Sequence, residues 1–145
     1  MTDGILDLSA VVLDGSARTR DDAISEAGNL LVSVGAVDPA YVDAMHERET
    51  SVSTYMGNFL AIPHGTNEAK GSIKRTALSF VRYPGHVDWN GKPAEFVIGI
   101  AGVGDEHLSL LGKIAMIFVD ADRVEELRSA SSAQDVVDIL NRADA

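Results

Sequence analysis

Cysteine is absent from the 145-residue chain, which excludes disulfides, thiolate metal sites and a cysteine nucleophile of its own. Any cysteine chemistry in its reaction belongs to a partner. Long apolar runs are missing too. Hydrophobic residues make up 46% of the sequence, yet charges interrupt every stretch well short of the ~20 residues that cross a bilayer. The opening segment, Met1-Thr2-Asp3-Gly4-Ile5-Leu6-Asp7, lacks the basic stretch and apolar core of a secretory leader. The expected location is therefore the cytoplasm, with no membrane insertion. Positive charge is scarce: 12 Lys and Arg stand against 22 Asp and Glu, a formal net charge of -10. Nucleic acids and anionic membranes need a basic patch to displace counterions, so neither is expected as a partner. The same charge favours a partner with a basic face, although it also serves solubility alone. No Gly-x-x-x-x-Gly-Lys-Ser/Thr loop offers to hold a nucleotide, and no two of the 4 histidines have the helical spacing of a zinc motif. Neither a cofactor nor a metal is expected.

No repeat, linker or low-complexity segment interrupts the chain, so residues 1–145 read as one domain. Val11-Val12-Leu13 reads as a short strand. Thr19, with Asp22 three residues on, predicts a helix start; Ala23, Ile24, Ala27, Leu30 and Leu31 form its buried stripe, and Gly35 ends it. A second helix is predicted with Asp38 as its N-cap and Pro39 in its first turn, carrying Tyr41, Val42 and Met45 on one side and Arg48 near its end. Phe59 to Ile62 reads as a buried strand. Thr76 to Tyr83 is a further strand ended by a Pro84-Gly85 turn, with Val87 to Trp89 returning before the Asn90-Gly91 turn. Ala94 to Ala101 is apolar almost throughout, as a strand covered on both faces must be. Helices are expected over 106–118, 122–128 and 133–140, the last behind a Ser132-x-x-Asp135 capping box. The expected fold is α/β: a mixed parallel and antiparallel central sheet sandwiched between helices.

The most informative stretch is Asn58-Phe59-Leu60-Ala61-Ile62-Pro63-His64-Gly65-Thr66. It delivers His64 from the end of an apolar strand into a turn that Pro63 stiffens and Gly65 opens to a neighbouring backbone. Neutral imidazole is a good nucleophile near pH 7 and can carry a phosphoryl group. Taken alone, a histidine at a strand end is more often structural. Arg48 has a structural explanation as well, since a cation suits the carbonyl end of a helix. His107 stands in the first turn of its helix, behind Gly102, Gly104 and Asp105, where unpaired N–H groups favour an anion. It is equally compatible with an ordinary helix start. His46 and His86 have no such context and read as surface residues.

Together, Arg48 in His46-Glu47-Arg48-Glu49-Thr50, the Ala61-Ile62-Pro63-His64-Gly65-Thr66 turn and His107 in Gly104-Asp105-Glu106-His107-Leu108 resemble the mannitol/fructose-type enzyme IIA domain of the bacterial phosphoenolpyruvate-dependent sugar phosphotransferase system. The resemblance spans nearly the whole chain, and Tyr83-Pro84-Gly85-His86-Val87-Asp88-Trp89-Asn90-Gly91 looks most like the mannitol-type members. It implies a relay in which Nε2 of His64 accepts phosphate from the phosphocarrier protein HPr and passes it to a cysteine of the IIB domain of a mannitol permease. Arg48 and His107 are then the supporting residues of the catalytic site. A fructose-type component and a nitrogen-related regulatory protein are the alternatives. Some relatives carry a glutamate where this chain has Asn58. Phe59, Ile62, Pro63 and Leu108 are the nearest apolar candidates for a docking surface.

Overall fold

A computed structural model of the chain describes residues 5–142. Five strands form one sheet: β1 (Leu6–Val12), β2 (Tyr55–Gly57), β3 (Leu60–Ala61), β4 (Ala77–Trp89) and β5 (Lys92–Ala101), in the order β1-β4-β5-β3-β2. β1 runs parallel to β4, β4 antiparallel to β5, β5 parallel to β3, and β3 antiparallel to β2. The sheet is mixed, as expected, and the apolar run at 94–101 is its middle strand.

The helices divide between the two faces of the sheet. Along β4 and β5 successive side chains point to opposite faces. Leu78, Phe80, Ile98 and Ile100 pack with α3 (Glu106–Phe118), α4 (Ala121–Ser129) and α5 (Ala133–Arg142), while Ala77, Val81, Val97 and Ala101 pack with α1 (Arg20–Ser33) and α2 (Ala40–Ser51). The second face carries small residues because α1 lies close against it. Ser79 Oγ donates to the Ala27 carbonyl at 2.9 Å, and a Cβ on Gly99 would fall 2.5 Å from Ser79 Oγ.

Local signals placed several elements well. Thr19 caps α1, its side chain accepting from Asp22 N at 3.1 Å, and Gly35 leaves the helix at φ +74. Ala23, Ile24, Ala27 and Leu31 are buried, with Gly28 beside them and Leu30 at the stripe's edge. Asp135 N donates to Ser132 Oγ at 3.1 Å, although the Asp135 carboxylate turns to Ser131 and leaves the box half closed.

Four expectations need correction. β1 begins at Leu6 rather than Val11. Asp38 does not cap α2: its side chain pairs with Lys74 at 3.2 Å, and Pro39 precedes the helix with no side-chain cap. Phe59 lies outside the strand, in a two-residue turn with Asn58 (φ 52 and 68) that joins β2 to β3. Positive φ at both positions gives such a turn the twist that flanking strands require. Pro84-Gly85 does not reverse the chain, and β4 continues to Trp89. The extra residues form a bulge between the Arg82–Phe96 and Val87–Ala94 pairs, with His86 at φ 53. The chain reverses at Asn90-Gly91, whose φ values are 57 and 91.

Candidate functional site

Three connections build the ledge that carries His64. Ile62 N donates to the Thr54 carbonyl at 3.1 Å, and Ile100 N donates to the Pro63 carbonyl at 3.0 Å. His64 itself bridges to Ile100 in the parallel sense, so the turn after β3 remains stitched to β5. The third connection passes through a side chain. The Tyr41 hydroxyl accepts from Gly65 N at 2.9 Å and donates to the Ile100 carbonyl at 2.8 Å. Gly65 is required there, since a Cβ would sit 2.5 Å from Cε1 of the Tyr41 ring.

The half-buried His64 ring has one oriented nitrogen. Nδ1 lies 2.8 Å from the Ile62 carbonyl oxygen, and a carbonyl can only accept, so Nδ1 carries the proton. On a neutral ring the lone pair is then at Nε2. Burial holds the His64 pKa below its usual value; the Ile62 carbonyl opposes this, the Arg48 charge adds to it, and the Glu49 charge opposes it. The ring is therefore neutral at pH 7, with its lone pair at Nε2.

His107 faces it edge-on, the ring centroids 4.9 Å apart and the planes at 61°. It is the second residue of α3. The chain reaches it through Gly102, where a Cβ would come within 2.5 Å of His107 Cα, and Gly104 at φ +59. Thr76 clamps this loop: its hydroxyl accepts from Val103 N at 3.0 Å and donates to Glu106 Oε1 at 2.8 Å. His107 also has a lowered pKa, from burial first and then from His64, Lys70 and Arg48.

Arg48 completes the group. Its Nη1 donates to the Val52 carbonyl at 2.7 Å, the helix-end contact that local sequence predicts. That contact uses one of five N–H donors, and the side chain also lines the cavity onto which His64 and His107 open. The cavity measures about 640 Å³, and Lys70 and Glu68 stand on its wall. All three residues singled out from the sequence thus come together, although 43 positions separate His107 from His64.

Three contributors escaped the sequence reading. Tyr41 looked like one more apolar residue, yet a hydroxyl within a buried stripe must find partners. Lys70 is brought to the cavity by the 3-10 helix Asn67–Ser72, for which periodicity gives no signal. Glu49, beside Arg48, is buried at 5% exposure. It accepts from Thr54 N at 3.0 Å, Thr54 Oγ1 at 2.6 Å and Trp89 Nε1 at 3.0 Å.

Other residues fall elsewhere. His46 bonds Ser25 Oγ at 2.8 Å, joining α2 to α1, so it is half-buried rather than a surface residue. His86 is exposed on the bulge. Asn58 stands at the opposite end of β3 from His64 and donates to the Phe118 carbonyl at 2.8 Å. Of the four docking candidates Ile62 and Pro63 are buried, whereas Phe59 is exposed, with Arg128 over its ring at 5.3 Å, at the other end of β3 from His64. Leu108 and Val103 remain exposed near His107. Among the described residues no cluster of His, Cys, Asp and Glu would hold a metal ion, and no helix is long and apolar enough to cross a membrane.

Residues 4–143 match the family model described as phosphoenolpyruvate-dependent sugar phosphotransferase system, EIIA 2. The mannitol-specific phosphotransferase enzyme IIA component of Halalkalibacterium halodurans is 48% identical over 140 residues, covering 97% of both chains. Among solved structures, the complex of enzyme IIAMtl and phosphorylated enzyme IIBMtl from Escherichia coli gives a TM-score of 0.87 at 34% identity, covering 95% of this chain and 99% of that one. The nitrogen regulatory protein IIA-Ntr of Neisseria meningitidis gives 0.79 at 30% identity, covering 94% and 97%.

Proposed function

Since the chain belongs to the EIIA 2 family of the phosphoenolpyruvate-dependent sugar phosphotransferase system, we propose that it is the mannitol-type phosphocarrier of such a system, with His64 as the residue that carries the phosphoryl group. The observation that supports this assignment is the Nδ1–H of His64 held on the Ile62 carbonyl. It commits the lone pair to Nε2, in a cavity shared with Arg48 and His107. The donor would be the phosphohistidine of HPr, and the acceptor a cysteine thiolate of the IIB domain of a mannitol permease.

In the first transfer the Nε2 lone pair forms a bond to phosphorus as the donor's N–P bond breaks, and the electron pair of that bond returns to the donor imidazole. In the second, the thiolate forms an S–P bond and His64 recovers its lone pair. Negative charge spreads over three equatorial oxygens in each transition state. Arg48 offers a planar fork of donors to those oxygens, and His107, at the positive end of α3, adds a further donor. The sugar need not enter this cavity, so its identity rests on kinship. Identity of 48% to a mannitol-specific relative, against 30% to the nitrogen-regulatory one, favours mannitol.

Reconstitution with phosphoenolpyruvate, enzyme I, HPr and a mannitol permease lacking its own IIA activity tests donor, acceptor and sugar together. The wild type should gain acid-labile phosphate and restore mannitol phosphorylation. His64→Ala should do neither while keeping its fold. Acid-labile phosphate on His64→Ala would overturn the assignment.

A further inference from the structure

The mechanism above makes no use of Glu49, although a carboxylate at 5% exposure is costly to keep inside a protein. Both its oxygens accept: Oε1 from Thr54 Oγ1, and Oε2 from Thr54 N and Trp89 Nε1. The three contacts all run from donor to carboxylate, so they satisfy the ionised group and require no carboxyl proton. A hydrogen-bonded path leads from it to the nucleophile. Glu49 fixes Thr54, the Thr54 carbonyl accepts from Ile62 N at 3.1 Å, and the Ile62 carbonyl accepts from His64 Nδ1 at 2.8 Å.

Phosphorylation changes what that path must hold. When Nε2 bonds to phosphorus while Nδ1 keeps its proton, the imidazole becomes a cation. Losing the proton would turn an Nδ1 lone pair against the Ile62 carbonyl. The charged and titratable groups that face this ring are Tyr41, Arg48 and Glu49 of α2, Lys70 and Glu68 of the 3-10 helix, and Asp105 and His107 around the start of α3. Glu68 and Asp105 are exposed, where water screens them. Glu49 is the negative charge enclosed in protein, and it favours a positive His64 ring.

We propose, on the reading of His64 given above, that Glu49 is a positioning residue that holds the phosphorylated His64 ring in its Nδ1-protonated, cationic form. The test compares the full-length wild type with Glu49→Gln, which keeps the shape and removes the charge. The readout is the pH at which the phospho-His64 ring loses its proton, by nitrogen-15 NMR.

Glu49→Gln should lower that pH by about one unit. A folded Glu49→Gln with the wild-type value overturns the inference. Should Glu49→Gln fail to fold, Trp89→Phe decides. It removes one donor from the carboxylate and leaves its charge less neutralised, so the ring should hold its proton to higher pH. An unchanged or lowered value overturns the inference. Absence of phosphate from wild-type His64 would instead refute the phosphocarrier reading.

Discussion

His64, Arg48 and His107 differ in how much of their environment is local. His64 takes its orientation from Ile62, two residues before it. Arg48 reaches Val52, four residues on, by a contact that explains the residue without any function. A lysine there keeps the charge and loses the planar fork, so Arg48→Lys should reduce the rate of phosphoryl transfer about tenfold with little loss of stability; equal stopped-flow rates would leave Arg48 a helix cap. His107→Ala should still accept phosphate on His64 but deliver it to IIB about tenfold more slowly, because it removes a transition-state donor and spares the nucleophile. Wild-type rates in both directions would remove His107 from the site. Burial depresses the pKa of both histidines below 6.5, and the sign of the resulting pH effects follows. Folded His64 stays neutral where an unfolded one has begun to protonate, so uptake of phosphate should persist below pH 6.5. The unfolded chain binds the extra protons, so stability is complete above 6.5 and is lost as pH falls towards the lowered folded values. Thermal unfolding followed from neutral pH downwards should show that loss, and the His64→Ala/His107→Ala variant should show less of it.

The elements explain why parts of the site were legible and others were not. α1 and the start of α3 could be placed because Thr19, Gly35 and the glycines before His107 act on their own neighbours. β4 could not, because a Pro-Gly pair marks a turn only when nothing opposes it. Here β5 pairs with both halves of the strand and absorbs the pair in a bulge. Phe59 was misplaced for a related reason: the hairpin requires positive φ at that position whatever the apolar pattern around it. Tyr41 shows the limit most plainly, since its function is to stand between two backbone groups that are 35 positions apart in sequence, Gly65 and Ile100. Tyr41→Phe removes the hydroxyl and leaves an N–H and a carbonyl without that partner. It should cost about 1–3 kcal/mol in chemical denaturation and slow phosphoryl uptake by loosening the His64 turn. Unchanged stability would show that water replaces the hydroxyl there.

For the whole molecule the dominant fact is the charge of -10; in the cavity Arg48 and Lys70 stand opposite Glu68 and Asp105. A partner with a basic rim would be drawn to the acidic exterior. Added salt should then lower the association rate with HPr more than it raises the dissociation rate. A flat stopped-flow salt series would mean that the charge serves solubility alone. The Asn90-Gly91 reversal has a different consequence. It lies at the start of β5, whereas His64 bridges to Ile100 near the strand's end, on the order of 30 Å away at the rise of an extended strand. A dye or a spliced-in polypeptide carried at that tip would leave the His64 cavity open, so the molecule has a handle at one end of its sheet and its candidate site at the other.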